Sequence, residues 1–85
     1  MLRTTDEAFM RLKQERDDLS TKLVKLGEFI IKARLNLIRD ITLDDIHLLE
    51  EQEKHMTQYL YVLNVRIARV EGERIPVLKK ESIND

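Results

Sequence analysis

Eight positions in the second half of the chain recur in alternating steps of three and four: Ile46, Leu49, Glu53, Met56, Leu60, Leu63, Ile67 and Val70. All but Glu53 are apolar. That spacing runs one stripe along a helix and calls for a second helix to cover it. The first half supplies it. Phe9, Leu12, Leu19, Leu23, Leu26, Ile30, Ala33 and Leu37 follow the same steps, with Arg16 filling the gap.

Local signals bound the two helices. Thr5 is an expected N-cap, with Asp6 and Glu7 in the first turn. Thr42 and Asp45 have the form of a capping box, with Asp in place of Glu. Gly72 is placed just past the second helix and Pro76 a few residues on. A connection at about 36–41 is short enough to return the chain antiparallel. The expectation is an all-α antiparallel two-helix hairpin in a single domain, 1–85. Its helices span about 5–38 and 43–71, and 72–85 form a short C-terminal tail containing the apolar run Ile75, Pro76, Val77, Leu78. In this register Arg16 faces Ile67 and Val70, near Glu71 and Glu73, and Glu53 faces Ile30. Gly27 lies inside the first helix, where glycine costs about 1 kcal/mol against alanine, and so marks a bend or a close contact.

One stripe per helix barely offsets the entropy of ordering two long helices. A second set of apolar residues, Val24, Ile31, Leu35, Leu48 and Val62, is therefore expected to close against another copy, which makes the hairpin a homo-oligomer.

Composition removes several classes of function. The chain of 85 residues has 36% charged residues, two glycines and one proline, as long helices do. It has no cysteine, hence no disulfide, thiolate metal site or cysteine nucleophile. A net charge of −1 argues against a DNA or RNA polymer as partner. No leader like a signal peptide and no apolar run of membrane-span length is expected. His47 and His55 are eight apart and make no i, i+4 zinc pair, so no metal or other cofactor is expected. No nucleophile-and-base pair or glycine-rich phosphate loop stands out, so the chain is read as no enzyme.

The candidate site lies beside the second seam. Gln52, Tyr59 and Arg66 recur every seven residues, with His55 and Arg69 alongside. One reading is an amphipathic flank, with Arg66 extended over it. The other is a groove for a flat, anionic ligand: a phenol ring to stack on, a guanidinium fork for phosphate and an amide for a base edge. Arg16 is either an end-of-seam arginine paired with Glu71 or Glu73, or a second phosphate contact. Lys22, Lys25 and Lys32 are a solvated face or the rim of an anion pocket in an oligomer.

RLKQERDDLSTKLVKLGEFI followed by LLEEQEKHMTQYLYVLNVRI resembles the small phage-encoded helical-hairpin proteins related to one from a crAss-like phage. Arg11, Leu12, Lys13, Glu15, Leu19, Lys22, Leu23, Leu26, Phe29 and Ile30 carry the first half of that pattern. Leu48, Leu49, Gln52, Met56, Tyr59, Leu60, Leu63 and Arg66 carry the second, more specific half. The resemblance implies a viral protein of the host bacterial cytoplasm. It implies an anti-CBASS role in immune evasion: a sponge that binds and sequesters cyclic di- or trinucleotide signals without catalysis. The site residues are then Tyr59, Arg66, Gln52, His55, Arg69 and Arg16. The alternative is a coiled-coil adaptor that binds and inhibits a host protein.

Overall fold

The computed structural model describes residues 5–74. Two helices, α1 (Asp6–Arg34) and α2 (Leu43–Arg74), pack against each other as an antiparallel hairpin. Among the described residues there is no strand. The tail segment 75–85, with its run from Ile75 to Leu78, lies outside the described residues.

The N-termini form as their residues dictate. Thr5 Oγ1 accepts the Ala8 N–H at 3.1 Å, and Asp6 and Glu7 occupy the positive end of the α1 dipole. At α2 the capping box is complete: the Asp45 N–H donates to Thr42 Oγ1 at 3.0 Å, and the Thr42 N–H donates to Asp45 Oδ2 at 3.0 Å. Hydrogen bonding to the carboxylate from the Thr42 backbone N–H, followed by the Thr42 side chain, holds the Asp45 carboxyl below its ordinary value.

The C-termini differ from expectation. α1 stops at Arg34, not near 38. Asn36 takes the left-handed conformation (φ 61°), its N–H donates to the Ala33 carbonyl at 3.1 Å, and the Leu37 N–H reaches back to Lys32 at 2.9 Å. This is a Schellman stop built on asparagine, one of the few residues besides glycine that tolerates a positive φ. Asp40 (φ 57°) makes the second left-handed step of the connection. Leu37, expected on the seam, is left exposed beyond the helix. At the other end α2 runs through Gly72, which has no positive φ and does not act as the cap.

The seams interlock in a register about one step from the expected one. Arg16 meets Asn64 rather than Ile67 and Val70, and Glu53 stands beside Gly27 rather than Ile30. Burial concentrates at the two ends of the hairpin. Leu12, Leu63, Ile67 and Val70 form a cluster with Phe9 and Leu19 at the open end, and Leu63 is fully buried. Ile30, Ala33 and Ile46 are buried near the connection. Leu23, Leu26, Glu53, Met56 and Leu60, between these ends, are only half-buried.

Two flanks border the seam. One carries the bidentate pair Arg34–Glu50, with bonds of 2.7 and 3.0 Å, and Gly27. The other joins Glu15 to Tyr59. Val24 and Ile31, at helical spacing from Gly27 and Arg34, share the first flank, whereas Leu48 and Val62, spaced from Gln52 and Tyr59, share the second. All four are exposed. The apolar set expected to form one second stripe is therefore split between opposite sides of the hairpin.

Candidate functional site

Two open recesses lined by described residues lie on the Tyr59 flank. The first, about 460 Å³, is lined by Arg11, Gln14, Glu15, Asp18, Leu19, Lys22 and Tyr59. Tyr59 and Glu15 reach it because each immediately precedes a seam residue, Leu60 on α2 and Arg16 on α1, and such positions oppose one another across an antiparallel pair. The Tyr59 hydroxyl donates to the Glu15 carboxylate. That bond, followed by partial burial and the Glu15 charge, raises the Tyr59 pKa above its ordinary value; the Arg66 charge acts in the opposite sense. Tyr59 remains 43% exposed, so part of its side chain is open to a ligand.

Around this ring the recess carries two cations and two carboxylates. Among the described residues Arg11 makes an exposed pair with Glu7 at 3.5 Å, an interaction that offers little resistance to a competing ligand. Gln14 Nε2 donates to Asp18 Oδ1 at 2.9 Å. Arg66, one stripe position beyond Tyr59, makes no hydrogen bond or ion pair among the described residues. Arg69 likewise makes none.

The second recess, about 430 Å³, lies at the connection and is lined by Phe29, Ile38, Arg39, Asp40, Ile41, Asp45, Leu48, Leu49 and Gln52. Gln52 thus belongs to a different recess from Tyr59, and its amide points along its own helix to the Met56 sulfur at 3.7 Å. His55 pairs with Glu51 at 3.6 Å on the exposed surface of α2. Arg16 is on the other flank: its Nε meets Asp17 at 2.6 Å and its guanidinium donates to Asn64 Oδ1 at 3.4 Å. Asn64 follows Tyr59 by five residues, about 140° round the helix. Neither expected role of Arg16, pairing with Glu71 or Glu73 or a second phosphate contact beside Tyr59, matches this position.

Tyr59 and Arg66 therefore stay together as expected, Gln52 is close to neither, and Arg16 leaves the site. The α1 residues Arg11, Glu15 and Asp18 join it. The stripe on α2 was visible because it repeats every seven residues. Its complement on α1 reads as ordinary solvated charge until the register is known. Among the described residues no group of three or more His, Asp or Glu side chains is placed to hold a metal ion. No described helix is long and apolar enough to cross a membrane.

Residues 6–69 match the Sequestin family, and the chain belongs to that family. No curated protein and no solved structure matches it significantly.

Proposed function

We propose that this Sequestin chain is a non-catalytic binding protein that sequesters a cyclic di- or trinucleotide, with the recess beside Tyr59 as its ligand site. The carrying observation is the partly exposed tyrosine set among Arg11, Lys22 and Arg66 on one flank. A recess of about 460 Å³ is within the ordinary range for small-molecule sites. Stacking on tyrosine suits any base, and arginine suits phosphate by its planar fork. The family name agrees with a sequestering role. His55, Arg69 and Gln52 extend the same side of α2 and serve a larger ligand or a neighbouring subunit's site.

The exposed Val24, Ile31 and Leu35 on one side and Leu48 and Val62 on the other favour assembly through two surfaces. A homo-oligomer of this kind repeats a weak half-site around a cyclic ligand by symmetry. The setting we assign, from the resemblance to phage hairpins, is the cytoplasm of an infected bacterium, with the bacterial cyclic-nucleotide defence as target. The same exposed apolar residues favour a second reading, an adaptor that docks on a host protein.

A thermal-shift series with cyclic di- and trinucleotides separates the two. A ligand at a hundred times its Kd stabilises a fold by about 2.7 kcal/mol, on the order of ten degrees for a domain this small. A concentration-dependent rise is the expected result. No shift with any cyclic nucleotide overturns the sponge reading in favour of the adaptor.

A further inference from the structure

The flank of the hairpin away from Tyr59 carries a stripe that the ligand recess does not use. Asp17, Ser20, Val24, Gly27, Ile31 and Arg34 each follow a seam residue of α1 by one position. They therefore recur in steps of three and four along one side of the helix. Val24 is 59% exposed and Ile31 60%, and Leu35, one turn beyond, is 63% exposed. Together they leave an apolar row for a partner to cover. The small residues Ser20 and Gly27 alternate with Val24 and Ile31, and opposite charges, Asp17 and Arg34, close the two ends.

We infer that this stripe docks on the same stripe of a second copy, α1 antiparallel to α1, about a two-fold axis between Val24 and Gly27. The inference rests on the homo-oligomer reading above and goes further by naming the face, the symmetry and the register; it does not depend on the ligand. About a two-fold axis every contact is made twice. Val24 meets the partner's Gly27, Ser20 meets the partner's Ile31, and Asp17 meets the partner's Arg34. Each branched side chain faces a small one, and each charge faces its opposite. Sliding the partner by one heptad destroys the match: one way, Lys13 faces the partner's Ile31 and Asp17 the partner's Gly27; the other way, Val24 faces the partner's Arg34. Arg34 is prepared for the contact. Its Nε and Nη2 donate to Glu50 at 3.0 and 2.7 Å, which fixes the guanidinium plane, and three of its five N–H donors remain for a second carboxylate. The Asp17 side chain is 62% exposed beside Arg16. Exposed ion pairs add little affinity, so burial of Val24 and Ile31 drives the contact and the charges choose its register. The Tyr59 recess of each copy is left on the uncovered flank, so this dimer forms without ligand and keeps both recesses open.

Solution mass and cross-linking of the full chain, without nucleotide, test this. The chain has no cysteine, so introduced ones report cleanly. Ser20→Cys combined with Ile31→Cys brings the two positions together across the axis, and mild oxidation should give a covalent dimer on a non-reducing gel. Either substitution alone meets its own copy about 16 Å away along the helices, beyond the roughly 7 Å that a disulfide spans between α-carbons, and should give none. By sedimentation the wild type should be a dimer or a multiple of one. Asp17→Arg sets like charges against each other at both ends of the contact and should weaken it roughly tenfold or more. Arg34→Glu with Glu50→Arg inverts the pair within the hairpin and should weaken self-association likewise. Mixing these two variants restores both opposite-charge contacts and should restore the dimer, with helicity unchanged throughout by circular dichroism. A monomeric wild type overturns this interface and the homo-oligomer reading together. An oligomer that Asp17→Arg leaves intact and the paired cysteines fail to link overturns this interface alone, and places assembly on the Leu48 and Val62 side. Nucleotide titration, which tests the sequestering function, is independent of both results.

Discussion

The carboxylate of Glu53 lies 3.3 Å from the point where a β-carbon on Gly27 would stand. The one charged residue of the α2 seam thus meets the one glycine of α1. Glu53 sits among half-buried neighbours in the middle of the hairpin, and the missing side chain gives its carboxylate room on the Arg34 flank. The contact is with the far end of a flexible side chain, which can move by a few tenths of an ångström. Gly27→Ala should therefore keep most of the helix-propensity gain, about 0.5–1 kcal/mol. That corresponds to a rise of a few degrees in Tm. A fall in Tm would show that Glu53 is held rigidly in place.

Leu63 is the most deeply buried side chain of the hairpin, at 0% exposure between Leu12, Ile67 and Val70. Leu63→Asp places an unpaired charge there, at a cost of several kcal/mol. Loss of the helical signal in circular dichroism or of the cooperative melt is the expected outcome. Leu63→Ala should cost about 2–5 kcal/mol. A Leu63→Asp variant that melts like the wild type would mean that the seam packs elsewhere.

The hairpin should weaken in acid through identifiable groups. Hydrogen bonding from Arg34, helped by the lesser effect of its charge, outweighs the opposing effect of burial and holds the Glu50 carboxyl below its ordinary value, and the Thr42 cap does the same for Asp45. A carboxyl lowered in the folded state adds stability that is present above its unfolded pKa and lost as pH falls through the folded one. Tm should therefore decline as pH drops below the ordinary carboxylate range, about pH 4. Glu50→Gln should flatten part of that decline. An acid limb of equal slope in Glu50→Gln would remove the Arg34–Glu50 pair from the explanation.

How much of this was legible in the sequence depended on the range of the interaction. The Thr5 cap, the Thr42–Asp45 box and the two seams are local patterns, and they appear where spacing placed them. The seam repeat runs on through Leu37, while the backbone turns at Asn36, so α1 ends before its repeat does. Nothing in the seam repeat marks which asparagine will take a positive φ. An α1 about four residues shorter than the repeat changes the connection, and the connection sets the register. The site followed the register. Tyr59 and Arg66 were readable as a repeat on one helix, but Glu15 becomes meaningful only when it is opposite Tyr59, and Arg16 drops out when it is opposite Asn64.

Arg66 tests whether phosphate is met by geometry or by charge alone. It makes no hydrogen bond or ion pair among the described residues and is near enough to Tyr59 for its charge to favour the phenolate. Arg66→Lys keeps the charge and loses the planar fork. Calorimetry should show cyclic-nucleotide affinity reduced at least several-fold, with Tm in the absence of ligand unchanged. Affinity equal to the wild type would show that a point charge is enough.

The measurement that bears most directly on the sequestering function is titration of the wild type and Tyr59→Ala with cyclic di- and trinucleotides. Tyr59 borders the seam without being part of it, so the buried cluster around Leu63 stays intact when the ring is removed. We predict saturable binding by the wild type and a loss of about tenfold or more in Tyr59→Ala, the scale of one stacked base, with helicity preserved. Wild-type protein that binds no cyclic di- or trinucleotide, or a Tyr59→Ala variant that binds as tightly as wild type, would contradict it.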